Sequence, residues 1–135
     1  MGDIKFNVKI DAKTKRYFEK TMPDKLDTAK KKAVEAMGMK WADQAKMLTR
    51  DEGHIDTGLY VNSIGYNSGS PASDKDVIHE IVDKNGKTIL KTGSNVAYAS
   101  YLEKKYNIMG RALDASQEDM TNVAKAQIKK ALFGG

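Results

Sequence analysis

The residues with the most evident chemical potential stand together at Asp56-Thr57-Gly58, a triplet that can present a reactive carboxylate or can close a loop and cap a helix. Aspartic-protease chemistry needs two carboxylates close enough to share a proton, and the chain carries one Asp-Thr-Gly. The sequence after Gly58 is not the flat hydrophobic strand that such a turn would require. His54 and His79 lack His-x-x-x-His spacing or an accompanying carboxylate cluster, which argues against a metal site. Ser63, Ser70, Ser94 and Ser100 sit in no Gly-x-Ser-x-Gly elbow, and no Gly-x-x-x-x-Gly-Lys is present to cradle phosphate. The absence of cysteine removes disulfides, thiolate zinc sites and a cysteine nucleophile. Glu103 reads as a structural ion pair or hydrogen bond, with Lys104 and Lys105 adjoining it. The expectation is a protein that is no enzyme and that uses no cofactor or metal.

The elements that must position these residues are legible from their periods. Ile4, Phe6, Val8 and Ile10 alternate with polar residues and predict a strand with one basic, wet face. A short helix is possible between Asp11 and Met22, anchored by Tyr17 and Phe18. Pro23 suits a first helical position, and Leu26, Ala29, Ala33, Val34, Met37, Trp41, Ala45 and Leu48 follow at spacings of three and four, so a long amphipathic helix is expected over about residues 23 to 50. Gly38 inside it suggests close packing of another backbone. Asp56 or Thr57 is expected to cap a short turn that carries Leu59, Tyr60 and Ile64 inward, after which Ser63 to Asn67 looks extended. Tyr66 to Asp76 has the composition of a flexible loop. Val77 to Val82 and Thr88 to Thr92 read as strands joined by an Asn85-Gly86 hairpin turn. Val96 to Leu102 can start a helix, Lys104 to Gly110 looks irregular, and a last helix from Asp114 presents Met120, Val123, Ala124, Ile128, Ala131 and Leu132 on one face. This order predicts one α+β domain over residues 1 to 135, a small antiparallel sheet packed against a long N-terminal helix and a C-terminal helix.

The 135-residue length suits one core, and no run approaches the eighteen or so apolar residues of a membrane span. Met1 to Ile10 has no secretory apolar region, so the chain is expected in the cytoplasm, with no membrane partner. The net charge of +5 is uneven, since residues 1 to 50 hold thirteen Lys/Arg against seven Asp/Glu and the remainder ten against eleven. This leaves a small basic nucleic-acid-binding protein as the alternative reading. Lys30, Lys31 and Lys32 spread around a helix instead of lining one groove, and no aromatic interleaves with them.

Two pieces, "DTGLYVNSI" at Asp56 to Ile64 and "VAYASYLEKKYNIMGRALDAS" at Val96 to Ser116, stand ahead of the C-terminal amphipathic helix. Together they resemble the small tail-component family of long-tailed, siphovirus-like phages, described as tail completion, minor tail or head-tail joining proteins and similar to the lambda tail completion protein Z. The matching residues are Thr57, Gly58, Leu59, Ser63 and Ile64 in the first piece, and Tyr98, Ala99, Leu102 and Glu103 in the second. The chain departs from the family pattern after Glu103, where Lys104-Lys105 replaces a Gly-Thr. The resemblance implies a structural role in which Asp56-Thr57-Gly58 is a joint. It also implies a ring, of six copies in the virion neck, between the connector or head-closure protein and the tail terminator or tail tube. Localisation would be the virion, after assembly in the host cytoplasm, with possible non-specific contact to passing DNA. Tyr66, Asn67, Ser68, Gly69, Ser70, Pro71, Ala72 and Ser73 form the candidate assembly loop, expected to order on a neighbour.

Overall fold

The computed structural model describes residues 2–7, 12–53, 58–84 and 87–133. Strand β1 (Gly2–Asn7) leads into helix α1 (Ala12–Thr21), and Met22 alone separates α1 from the long helix α2 (Pro23–Asp51). Pro23 opens α2 as expected of a residue whose missing N–H would be unsatisfied there anyway. The one-turn helix α3 (Leu59–Ser63) follows, then a 3-10 turn at Asp74–Asp76 and the hairpin of β2 (Val77–Lys84) and β3 (Lys87–Ser94). Helices α4 (Ala99–Tyr106) and α5 (Ile108–Phe133) complete the chain.

The three strands form an antiparallel sheet in the order β1-β3-β2, so the fold is α+β with β3 in the middle. The register sets Lys84 opposite Lys87, as a two-residue hairpin loop requires, although Asn85 and Gly86 themselves lie outside the described residues. Val8 to Asp11 do likewise, so β1 is described only to Asn7. On β3, Thr88, Leu90, Thr92 and Ser94 are buried at a period of two, and Leu90 joins Val34, Trp41, Ala42 and Ala45 of α2 in the main core. Ile108, Met109, Ala112 and Met120 of α5 complete that core, while Leu132 packs with Leu26 and Ala29 in a second cluster. Gly38 is buried within α2.

Two local expectations are corrected. The stretch from Lys104 to Gly110 is helical on both sides of one residue, Asn107, so the last helix starts at Ile108 and not at Asp114. Asn107 adopts a left-handed conformation, φ 49°, and its N–H returns to the Glu103 carbonyl at 2.7 Å, closing α4 without lengthening the break. The segment from Ile64 to Asn67 is a bend and not a strand, because Gly65 takes φ 73° and turns the chain out of the extended direction that Ile64 enters.

Candidate assembly site

The first motif is a joint built around α3. Gly58 holds φ 89°, which favours glycine, and its carbonyl accepts the Asn62 N–H at 3.1 Å to begin the turn. Thr57, with His54, Ile55 and Asp56, lies outside the described residues, and so does the capping role expected of Asp56 or Thr57. Leu59 is half-buried against the main core, and Ile64 is fully buried within it. Ser63 is also fully buried. Its hydroxyl donates to the Tyr60 carbonyl at 2.7 Å, and a hydroxyl has one proton, so Ser94 Oγ is the donor in the 2.6 Å contact between the two serines. The Val96 N–H in turn donates to Ser94 Oγ at 3.3 Å. This relay fastens the joint to the end of β3.

The second motif meets the first. Tyr98 stands with its ring centroid 6.5 Å from that of Tyr60, Ala99 is fully buried, and Leu102 packs against the core from a half-buried position. Glu103 accepts the Met109 N–H at 2.7 Å and the Gly110 N–H at 3.1 Å. Those are N–H groups of the first turn of α5, which have no partner within the helix, and a carboxylate there also opposes the positive end of the helix dipole. The Met109 carbonyl accepts the Trp41 indole N–H at 3.0 Å, which ties the same turn to α2. Arg111 adds a fork to Glu52, 2.5 and 2.7 Å, and donates to the Tyr106 carbonyl. Burial, with Glu103 as a lesser cause, pushes the Tyr60 phenol well above its ordinary value. Among the described residues the Tyr60 hydroxyl has no hydrogen-bond partner.

The candidate loop is held from outside itself. Lys46 of α2 is 1% exposed, and its ammonium donates to the Tyr66 carbonyl at 2.7 Å, to Ser68 Oγ at 2.8 Å and to the Asn62 carbonyl at 3.3 Å. It also lies 3.9 Å from the Tyr66 ring centroid. Desolvation lowers the Lys46 pKa to about 8, helped by Arg50 and opposed by Asp43. The Tyr66 hydroxyl donates to Asp43 Oδ1 at 2.6 Å, and that bond raises its pKa to about 12. Asn62 completes the frame by donating to the Ser70 carbonyl at 3.1 Å and accepting from Ser68 Oγ at 3.1 Å. Pro71 follows a cis peptide bond, Ala72 is buried, and Ser73 forms a capping box with Asp76. Asn67, Ser68, Gly69, Ser70 and Pro71 remain exposed at the tip.

Gly65 shows why this frame admits little change. A Cβ there would lie 2.7 Å from the Ala42 Cβ, so the loop's entry rides directly on α2. Lys46 was not among the residues singled out in the sequence; its signal was a lysine on the same helical face as Ala42, Ala45 and Thr49. His79 is exposed on β2 and lines a groove of about 360 Å³ with Met39, Tyr66, Asp74 and Val77. Among the described residues no group of three His, Cys, Asp or Glu is placed to hold a metal ion, and no helix is long and apolar enough to cross a membrane. The Glu103 carboxylate and the Ser63 hydroxyl, which could have done chemistry, are both engaged in holding the backbone.

The fold is thus one sheet and a pair of long helices, with two motifs that meet where Tyr60 stands beside Tyr98. Residues 12–104 match the HK97-gp10-like family, described as "Bacteriophage HK97-gp10, putative tail-component", and the chain belongs to that family. It is a structural component of a phage tail, and its contacts are with other tail or virion proteins. No curated protein and no solved structure gave a significant match.

Proposed function

We propose that this chain completes the tail, or joins head to tail, as a ring in the virion neck between the connector and the tail tube. The observation that supports this reading best is the family match over residues 12–104, which contain the joint at Gly58, the loop after it and the second motif as far as Glu103. The geometry adds the means. The loop tip from Asn67 to Pro71 is exposed while its base is fastened to α2 through Lys46, so a neighbour would meet a presented shape. Tyr98, just before α4, and Tyr101 within it are 40% and 62% exposed at the second motif and offer aromatic contact area of the kind that interfaces favour. Contacts of one patch with a different patch on the next copy generate a closed ring when the rotation closes.

Electron microscopy of particles made with the gene intact and deleted tests the role. Full heads and finished tails left unjoined, with a neck ring in the intact particle fitted by this fold, would bear it out; normal joining without the gene would end it. Ser70→Arg places bulk at the exposed tip without touching Lys46, and it should reduce joined particles while leaving the thermal midpoint of the isolated protein unchanged.

A further inference from the structure

Leu132 packs on Leu26 and Ala29, which sets the last turns of α5 against the first turns of α2. Two lysine clusters far apart in sequence therefore share one surface. Lys32 and Lys130 face the same groove, of about 580 Å³, which Glu35 also lines, and Lys25 and Lys129 are exposed on the same two helix ends. Helix α1, which packs on α2 and ends one residue before it, brings Lys13, Arg16 and Lys20. Residues 12–35 and 121–133 together hold eleven Lys/Arg against four carboxylates, an excess still larger than the +5 of the whole chain. The rest of the molecule is thus net acidic, and the positive charge is confined to this end. Two of its four carboxylates are already engaged within their helices, Glu19 with Lys15 at 3.7 Å and Asp27 with Lys31 at 3.1 Å, and Asp83 of β2 stands 3.9 Å from Lys31.

We propose that this end of the molecule, where the start of α2 meets the end of α5 with α1 packed on α2, is a contact surface for the phosphates of duplex DNA. The first half of α2 spans about 20 Å, room for on the order of ten duplex phosphate charges. Its cations are lysines on long stems, with Arg16 as the one arginine, and lysine acts as a point charge suited to a regular polyanion. A specific acidic protein patch would call instead for paired, fork-shaped contacts of the kind that Arg111 makes with Glu52 at the other end of α5. The surface selects charge and not sequence, so its binding is governed by counterion release. It requires no ring, and it can fail or hold independently of the neck role.

The test is fluorescence anisotropy of a labelled duplex of about 30 base pairs with the full chain, titrated between about 50 and 200 mM salt. Affinity should fall at least about a hundredfold over that range, and Lys32→Glu/Lys130→Glu should reduce the slope of log K against log salt by about two. Lys25→Glu/Lys129→Glu should do the same, which guards against one pair failing to fold, as read by circular dichroism. Lys75→Glu/Lys104→Glu changes net charge equally from exposed positions outside the patch and should leave the slope in place. No binding at low salt, equal loss in the patch and control variants, or tighter binding of polyglutamate than of duplex would overturn the assignment. The last result would transfer the surface to an acidic protein. Loss of joined particles on gene deletion would leave this result untouched, so the two readings fail separately.

Discussion

The two joints of this protein, the α4–α5 junction and the crossing from Gly58 to Asp76, solve the same problem with opposite means. At the junction most fastenings are local: Asn107 returns to Glu103, Glu103 reaches N–H groups six and seven residues on, and Arg111 reaches Tyr106 five residues back, against two remote ones, Trp41 to the Met109 carbonyl and Arg111 to Glu52. In the crossing the central fastening is remote, a buried ammonium on α2 that gathers backbone and side-chain oxygens sixteen to twenty-two residues later. A local cap loses one or two bonds when it is cut, and water can replace part of them. A buried hub leaves three acceptors and a void together, so the non-local joint should be the more fragile of the two.

Lys46→Ala is therefore expected to have the largest effect, about 3 kcal/mol or more in urea denaturation, from the cavity and the abandoned carbonyls. Lys46→Met fills the volume and should cost less, but it should still speed amide exchange at Ser68, whose N–H bonds to the Asn62 carbonyl. Gly65→Ala comes next at about 2 kcal/mol, because φ 73° and a Cβ 2.7 Å from that of Ala42 are both unfavourable. Glu103→Ala should cost about 1 to 2 kcal/mol, with faster exchange confined to the first turn of α5. An equal or greater loss for Glu103→Ala than for Lys46→Ala would break the comparison.

A further effect is one of pH. Unfolded, Lys46 titrates near 10.5; folded, near 8, because burial disfavours its charge. Between those values the unfolded chain binds more protons, so stability should rise with pH from about 8 toward 10. The upper limit comes from Tyr60 and Tyr66, whose raised pKa values mean that above about 10 the unfolded chain loses protons first and stability falls again. Denaturation midpoints at successive pH values should show the rise in the wild-type chain and a flatter course in Lys46→Met. A rise that persists in Lys46→Met would assign it to another group.

Much of the fold was legible because it follows from short periods. Pro23 and the spacing of Leu26, Ala29, Ala33 and Trp41 set α2, and the β2–β3 register follows alternation around a two-residue turn. The break between α4 and α5 was less so. Asn107 and Gly110 read as irregularity, although a single left-handed residue and a carboxylate four positions earlier keep both helices intact. The polar loop from Tyr66 to Ser73 was read from its own composition, which says nothing of Lys46 or Asn62, the residues that hold it.

The sequence by itself determined most of the element types, the α+β class and the family, because periodicity, turn residues and short motifs depend on neighbours a few positions away. Only the tertiary structure decided that Lys46 lies inside, that Ser63 reaches Ser94, and that the lysines of α5 stand beside those of α2. Each of these depends on which distant surfaces share a core. A lysine carries the same charge in every sequence, but whether it is desolvated or gathered into a field is set by what packs around it.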